Sequence, residues 1–354
     1  MDAGGVIAMT GKMKAAVMTG IGKIEYELRD IPSPKKGEVL VKIMHCGVCG
    51  SDLHYYEHGR IGGFVVEKPI VLGHESAGVV VELGEGVEAL RTGDRVTLEP
   101  GRTCGKCEFC KSGRYNLCPN VVFMATPPFD GAFMEYIAYP EDMCFKLPYT
   151  MDTMEGALVE PLAVGFHAAM QGGATVGQSA VILGAGCIGL MTLQALKARG
   201  VNEVYVVDMI DVRLKKALEL GATGIFNAAS ENIVEKLLKY SPAGMDLVFE
   251  TAGSKVASRQ TPALVKRGGT IVLVGMTPDP EFPFELGTVL AKEATIKTVF
   301  RYRNLYKTCI DAISRVPLDV RGMVNKIFPF DEIPAAMDYN LSNKSDVIKV
   351  VIEY

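Results

Sequence analysis

Short apolar segments broken by glycine and proline characterise the first half of the chain. Their apolar and β-branched composition predicts strands at residues 14–18, 38–44, 78–83 and 95–98. Because turn residues separate these segments, the pattern favours an irregular β-barrel over alternating strands and helices. Residues 1–12, which precede the first predicted strand, are interpreted as a loose extension.

Apolar strands alternate with helical patterns from about residue 156 to about residue 298. The segments 180–183, 203–207, 246–250 and 270–274 are short, continuous and β-branched, as buried parallel strands are. Between two of them, residues 213–220 show a helical pattern that ends at Gly221. Repeated strand–helix units predict an α/β fold with a doubly wound parallel sheet. A further strand-like segment lies at 347–352.

Composition narrows the possible functions. A chain of 354 residues favours two domains, which are placed at 1–161 completed by 300–354, and at 162–299. The net charge of −4 and the scattered Lys and Arg residues argue against a nucleic-acid surface. The longest apolar stretch, 180–193, is too short and too rich in glycine to span a membrane, so no membrane partner is expected. Nine cysteines without a secretion signal indicate a reducing compartment, and a cytoplasmic protein is expected.

Four cysteines follow the spacing C-x2-C-x2-C-x7-C. The short gaps let neighbouring thiolates turn back onto one ion, and the longer gap brings the fourth from across a loop. This spacing predicts a closed structural zinc site with four sulfur ligands, and unliganded thiols or a disulfide pair are the alternative. The predicted ligands are Cys104, Cys107, Cys110 and Cys118.

A glycine-rich G-x-G-x-x-G motif occupies Gly184, Gly186 and Gly189. It follows a predicted strand, opens a predicted helix, and is followed 19 residues later by Asp208. This context predicts a dinucleotide site whose helix N-terminus binds the pyrophosphate. A glycine-rich turn that binds nothing is the alternative.

Asp208 decides which cofactor is expected. Its carboxylate can accept both ribose hydroxyls, whereas a 2′-phosphate would cost roughly 4 kcal/mol per charge pair at ~4 Å and an effective dielectric of ~20. We therefore expect NAD rather than NADP, with Arg213 lying along the adenosine. The alternative role for Asp208 is a helix cap.

Two further segments carry candidate ligands and acid–base groups. HCGVCGSDLHYYEHGR contains Cys46, Cys49, Ser51, Asp52 and His54, and VLGHESAGVV contains His74 and Glu75. With the four-cysteine loop, ALVEPLAVG and the dinucleotide motif, they occur in the order found in zinc-dependent medium-chain alcohol dehydrogenases. From residue 13 onward the chain resembles this superfamily, which pairs a GroES-like barrel with a Rossmann domain. The segments GRYNLC, ATPPFDG and VFRYRN make it most similar to the polyol (sorbitol and xylitol) dehydrogenases.

The resemblance implies a catalytic zinc held by Cys49, His74 and Glu75, with a fourth position open for water or substrate. Glu160 matches the acidic residue that approaches the metal directly or through that water, and Asp52 would orient a ligand. Several alternatives stay open. They are a Cys46–Cys49 zinc pair or redox motif, a core role for His74, an indirect role for Glu75, and a helix-start carboxylate at Glu160.

The resemblance also implies how substrate and cofactor are handled. Ser51 matches the residue that takes the alcohol proton, and His54 the outer position of that relay, with a plain surface histidine as the alternative. Tyr55, Arg301 and Tyr302 match polyol-contacting positions, with a domain-interface role as the alternative. Ile188, Val274 and Val299 match positions at the cofactor. The implied reaction oxidises a secondary alcohol of a sugar alcohol to the ketose, with hydride transfer to NAD, in a homotetramer.

Other functions remain to be weighed against this one. L-Threonine 3-dehydrogenase and 2,3-butanediol dehydrogenase share the zinc and nucleotide motifs. A non-catalytic zinc- and nucleotide-binding protein would be expected to have lost Cys49, His74 or Ser51, all of which are present. A zinc-ribbon nucleic-acid module at 104–118 would need a basic, aromatic surface. The choice among polyols depends on the shape of the pocket and is left open.

Overall fold

The chain divides into two compact units in the computed structural model, which describes residues 10–277 and 281–354. The first unit comprises Met1–Glu160 and Val324–Tyr354, and the second comprises Pro161–Met323. The first boundary lies one residue before the predicted one. The return to the first unit lies at residue 324 rather than at 300, because residues 300–323 pack with the second unit. In this stretch the backbone amide of Asp319 donates to the side chain of Gln194 at 2.7 Å.

The first unit is built mainly from antiparallel strands. Before residue 160 its helices are α1 (Gly50–His58), α2 (Glu108–Lys111), α3 (Thr153–Ala157) and the start of α4 (Val159–Gln171). Its strands there are β1 (Lys12–Gly20), β2 (Lys23–Asp30), β3 (Glu38–Gly47), β4 (Arg60–Ile61), β5 (Phe64–Val65), β6 (Ile70–Val71), β7 (Glu75–Leu83), β8 (Arg95–Leu98), β9 (Gly101–Arg102), β10 (Val122–Phe123), β11 (Tyr136–Pro140) and β12 (Cys144–Lys146).

The four strands predicted in this half lie within β1, β3, β7 and β8. The predicted loose extension is wrong at Lys12, which opens β1 and pairs with Asp30 of β2. Backbone pairing continues there although the side chain is polar, because a strand needs only its N–H and C=O groups to extend a ladder. Residues 1–9 of that predicted extension lie outside the described residues.

The second unit alternates strands and helices. Its further elements are β13 (Ser179–Leu183), α5 (Cys187–Ala198), β14 (Glu203–Asp208), α6 (Asp211–Glu219), β15 (Gly224–Asn227), α7 (Ile233–Tyr240), β16 (Met245–Glu250), α8 (Lys255–Leu264), β17 (Val265–Leu273), α9 (Leu286–Ala291), β18 (Thr295–Thr298) and α10 (Tyr306–Arg315). The sheet is parallel, with the order β15-β14-β13-β16-β17-β18. This is the strand order of a dinucleotide-binding doubly wound fold, so the predicted fold class is confirmed.

The C-terminal segment completes the main sheet of the first unit. It contains β19 (Val324–Pro329), α11 (Ile333–Ser342) and β20 (Lys349–Glu353). The strand order is β12-β8-β7-β3-β20-β19, with β11 also paired to β3, and a smaller sheet has the order β2-β1-β6. β3, which leads towards Cys49, is therefore held between β7 and β20. Single 3₁₀ turns lie at Tyr115–Leu117, Glu141–Met143, Arg321–Met323 and Phe330–Glu332.

In the described parts of the chain, no helix has the length and apolar character needed to cross a bilayer.

Candidate active site

The four cysteines of the loop between β9 and β10 converge on one point. Their sulfur atoms all lie within 4.8 Å of one another. Cys107 Sγ is 3.4 Å and Cys104 Sγ is 4.0 Å from Cys110 Sγ. A tetrahedral zinc with Zn–S bonds of about 2.3 Å sets its sulfurs about 3.8 Å apart, so this cluster fits the ion. Each of the four is a free cysteine, which removes the disulfide alternative.

Backbone amides in this loop favour thiolates. The amide of Cys110 donates to Cys107 Sγ at 3.4 Å, and the amide of Cys104 donates to Cys118 Sγ at 3.5 Å. Amide donors at Lys106 and Cys107 lower the pKa of the Cys104 thiol to about 6. A metal binds the thiolate form, which these amides favour at Cys104, whereas burial and the neighbouring thiols raise the pKa of Cys107 to about 11.

A second group of ligands forms at the starts of two elements in the first unit. Cys49 is the N-cap of α1, His74 directly precedes β7, and Glu75 is the first residue of β7. Their ligand atoms lie within 4.8 Å of one another, with Cys49 half-buried and the other two buried. Within the residues that the structure describes, neither Cys46 nor Glu160 joins this group. The geometry therefore favours the thiolate–imidazole–carboxylate set over a Cys46–Cys49 pair.

Asp52 connects the two segments that carry Cys49 and His74. The side chain of Asp52 is fully buried and accepts the backbone amides of Cys49 and Gly73, each at 3.0 Å. Its Oδ1 also lies 3.5 Å from His74 Nδ1. Such a carboxylate holds the imidazole in orientation and leaves Nε2 as the nitrogen that can bind a metal. The expected orienting role of Asp52 thus has a geometric basis.

The charges around His74 suit a cation. Burial lowers the pKa of the His74 imidazole, but Asp52 and then Cys49 raise this pKa well above its ordinary value overall. For the Asp52 carboxyl, burial acts in the opposite direction and raises the pKa, yet His74 and the amides of Gly73 and Cys49 hold this pKa below its ordinary value. A positive charge is therefore favoured at this point, whether a proton or a metal ion carries it.

The other candidate residues of the first unit lie at varied depths. Ser51 stands in the first turn of α1 and is half-buried, and Tyr55 is buried on the same helix. His54 is exposed, with its ring 5.9 Å from the ring of His58, which matches a surface histidine. Glu160 is buried in the first turn of α4. Ser51, two residues after Cys49, lies in the same first turn of α1.

In the second unit, the glycine-rich motif connects β13 to α5. Gly184 has a φ of 111°, a conformation that favours glycine. A Cβ at Gly189 would overlap the carbonyl oxygen of Gly184, so a side chain there would push α5 away from the strand. Gly186 is the N-cap of α5, and Ile188 lies in its first turn. A glycine-rich loop that leads into a helix N-terminus fits a pyrophosphate.

Asp208 ends β14 and is held by three backbone amides. Ala185 donates to its Oδ2 at 2.6 Å, while Met209 and Ile210 donate to its Oδ1 at 2.8 and 3.0 Å. The last two bonds form a local turn before α6, whose N-cap is Ile210 and has no side-chain cap hydrogen bond. The helix-cap alternative for Asp208 is therefore wrong, and its carboxylate lies at the glycine-rich loop. Arg213 lies in α6, half-buried.

The remaining candidates of the second unit lie near the carboxyl ends of its parallel strands. Val274 follows β17 and Val299 follows β18, the amide of the latter donating to the Leu273 carbonyl at 3.0 Å. Arg301 has a φ of 56° and lies over the ring of Phe300 at 4.8 Å. Tyr302 is buried, with its ring 5.7 Å from that of Tyr306. Ligands of doubly wound sheets bind at these strand ends.

Known families match both units. Residues 35–149 match the alcohol dehydrogenase GroES-like domain, and residues 187–315 match the zinc-binding dehydrogenase domain. The zinc-type alcohol dehydrogenase-like protein YdjJ of Escherichia coli is 46% identical over 349 residues, covering 97% of this chain and 99% of its own length. Sorbitol dehydrogenase of Bacillus subtilis is 41% identical over 341 residues, covering 96% of this chain and 97% of its own length. A crystal structure of an Escherichia coli oxidoreductase/dehydrogenase of unknown specificity superposes with a TM-score of 0.93 at 45% identity, covering 97% of this chain and 99% of that one.

The chain belongs to the zinc-dependent medium-chain alcohol dehydrogenases. Within this superfamily, the chain aligns with relatives named sorbitol dehydrogenase and D-xylulose reductase, which supports its place in the polyol branch. It is accordingly an oxidoreductase of the zinc-binding type.

Two buried groups of this dehydrogenase were not found from its sequence. Lys349 contacts the carboxylate of Glu75, and Glu250 ends β16 with one oxygen that no described residue hydrogen-bonds. A lysine in a C-terminal strand and a glutamate at a strand end resemble ordinary surface residues in a sequence. The signal that could have found Lys349 is its position within an apolar segment, V-I-K-V-V-I, where a lysine needs a buried partner.

Proposed function

We propose that this dehydrogenase oxidises a secondary alcohol of a sugar alcohol to the ketose, with NAD as hydride acceptor. The observation that carries the proposal is the cluster of Cys49, His74 and Glu75. Three protein ligands of mixed type leave one position of a tetrahedral zinc for a substrate oxygen, as catalytic zinc sites require. The four-cysteine loop, by contrast, has no open position and would hold a structural zinc. The similarity to sorbitol dehydrogenase of Bacillus subtilis supports a polyol substrate.

The chain's own residues would bind, orient and move a proton. When bound, the zinc polarises the substrate hydroxyl and the nicotinamide accepts the hydride. Asp52 keeps Cys49 and His74 in place through its two amide contacts and its approach to the imidazole. Ser51 would take the hydroxyl proton and pass its own proton towards solvent. One proton and one hydride then leave the alcohol, and its C–O bond becomes a carbonyl.

The preference for NAD follows from Asp208. Its carboxylate is fixed by three amides at the glycine-rich loop, so it cannot easily turn away from a bound adenosine ribose. The ribose hydroxyls of NAD can donate to it, whereas the 2′-phosphate of NADP would meet a negative charge.

A substrate panel tests the proposal. Purified protein is mixed with NAD and, separately, sorbitol, xylitol, galactitol, threonine and 2,3-butanediol, and the absorbance of the reduced cofactor is followed. We expect turnover with at least one polyol. We also expect a large loss in kcat for Ser51→Ala with zinc content unchanged, and no loss for Ser112→Ala, which alters an exposed serine. Turnover on threonine or butanediol alone would move the assignment to those dehydrogenases, and none on any alcohol would favour a non-catalytic binding protein.

Assembly as a homotetramer and residence in the cytoplasm stay predictions. Light scattering on the purified protein would test the first, and fractionation of the source cells would test the second.

A further inference from the structure

A buried lysine lies behind the third ligand of the metal cluster. Lys349, the first residue of β20, has a side chain only 3% exposed, and that of Glu75 is 1% exposed. The Lys349 ammonium contacts Glu75 Oε2 and donates to the carbonyl oxygen of Val48 at 3.0 Å. Lysine is rarely buried to this degree unless it is paired, so the contact is a built feature rather than a chance approach.

The sheet leaves a passage for this contact. Gly47 at the end of β3 lies opposite Glu75 of β7 on one side and opposite Val351 of β20 on the other. Side chains directly opposite one another, and those two residues along a strand, share one face of a sheet. A Cβ at Gly47 would overlap the Glu75 carboxylate. Because Gly47 has no side chain, Glu75 can reach across β3 to Lys349.

The three metal ligands are supported from two different directions. Cys49 and His74 are both positioned through Asp52, by its hydrogen bonds to the amides of Cys49 and Gly73. Glu75 is supported from β20 instead, through its Oε2. The contact with Lys349 limits how the Glu75 carboxylate can turn.

We propose that Lys349 is a positioning residue for the metal centre, holding the Glu75 carboxylate in the orientation that lets it complete the ligand set. The proposal rests on the assignment of Glu75 as a zinc ligand, made above. Residues behind metal ligands commonly change metal affinity by about 10- to 100-fold when they are removed. Lys349 is expected to act in this range, and only through Glu75.

Metal affinity can be measured without any substrate. Zinc-loaded protein is titrated with a chelator, and the release step that changes in Glu75→Gln is assigned to this centre. We expect Lys349→Met to weaken that step by about 10- to 100-fold and Lys349→Arg to stay near the wild type. Lys42→Met, which alters an exposed lysine of β3, should change nothing. Release from the four-cysteine loop should be the same in all variants.

A double-mutant cycle distinguishes positioning of the Glu75 carboxylate from a purely structural role in holding the strands together. If Lys349 acts through Glu75, Lys349→Met in combination with Glu75→Gln binds zinc no more weakly than Glu75→Gln alone. Unchanged zinc release in folded Lys349→Met, or additive losses in the double variant, would overturn the proposal. Tighter binding in Lys349→Met would overturn it too, since the ammonium would then act as a repelling charge.

Two further measurements keep the test independent of folding and of substrate. Should Lys349→Met fail to fold, Lys349→Gln keeps a donor for the Val48 carbonyl, and its zinc release is expected to weaken in the same direction. Replacing zinc by cobalt gives a visible spectrum that reports the ligand geometry directly, and Lys349→Gln is expected to shift it while Lys42→Met does not. A failed polyol panel with these metal results intact would refute the substrate assignment and leave the role of Lys349 standing.

Discussion

Replacing Glu250 by glutamine should flatten the dependence of stability on pH. The side chain lies at the end of β16 and is 1% exposed. One of its oxygens, Oε1, accepts the amides of Ala252 and Ser254 at 3.0 and 3.2 Å, whereas Oε2 has no hydrogen-bond partner among the described residues. Burial raises the pKa of this carboxyl to about 7, although the three amides of the following turn act in the opposite direction.

The sign and size of the effect follow from proton linkage. The folded chain holds this proton up to a pH of about 7, whereas an ordinary glutamate loses it near 4.5. The folded state therefore binds more protons across this window, and the free energy of unfolding falls as the pH rises through it. The stabilisation from the bound proton is fully present below a pH of 4.5 and is lost above a pH of about 7. A shift of this size corresponds to about 3 kcal/mol, as an order of magnitude.

Denaturant unfolding of the wild type and of Glu250→Gln, followed from about pH 5 to about pH 8.5, checks this. Glutamine keeps an acceptor for the two amides and carries no charge. We expect similar free energies of unfolding near pH 5 and a more stable variant near pH 8.5, by up to about 3 kcal/mol. Some slope should remain, because burial also raises the pKa of Glu99 to about 7. Glu281→Gln, an exposed control, should parallel the wild type. A constant difference between Glu250→Gln and wild type at every pH would refute the reasoning.

Three further changes test the two metal centres and the cofactor site. Cys104→Ser should remove one zinc per chain and lower the melting temperature, while the folded variant keeps part of its hydride transfer. Metal analysis and an activity assay on the same preparation check this, and complete loss of activity in folded protein would contradict the structural role of the loop. Asp52→Asn should reduce zinc affinity or kcat by about 10- to 100-fold, measured by chelator titration and steady-state kinetics; wild-type values in both would show that the contacts to Cys49 and His74 do not matter. Asp208→Asn keeps one acceptor oxygen, enough for the two amides now bound to Oδ1, and removes the charge. The ratio of kcat/KM for NADP to kcat/KM for NAD should therefore rise by up to about 1,000-fold, given ~4 kcal/mol for a charge pair at ~4 Å; an unchanged ratio would reject Asp208 as the selectivity residue.

Features set by short spacings could be predicted from the sequence. The four-cysteine loop spans residues 104–118, and the glycine motif joins one strand to the next helix. Local chain geometry alone brings such residues together, and in the structure the four sulfur atoms lie within 4.8 Å of one another. The buried strands β13, β14, β16 and β17 were also found, because both faces of a central parallel strand are apolar.

Features that depend on pairing with distant parts of the chain could not be predicted from the sequence. β15, with the sequence GIFN, and β18, with the sequence TIKT, lack a continuous apolar run, and β18 is exposed at the edge of its sheet. They are strands because neighbouring strands pair with them, and this lies outside their own sequence. The chain returns to the first unit at residue 324 rather than at 300 for a similar reason, because residues before 324 make distant contacts in the second unit. The hydrogen bond between Asp319 and Gln194, for example, joins residues 125 apart.

The metal cluster shows why a ligand set can be read from sequence while its support cannot. Cys49, His74 and Glu75 lie in two short segments, and the resemblance to zinc-dependent alcohol dehydrogenases implied that they bind a metal. Their geometry depends on two buried charges of opposite sign, Asp52 within α1 and Lys349 in β20. Glu75 and Lys349 meet only after β20 has paired with β3 and β3 with β7. With Glu75 as the proposed zinc ligand, we expect zinc binding and the completion of this sheet to stabilise each other, which makes the C-terminal strand part of the proposed metal centre.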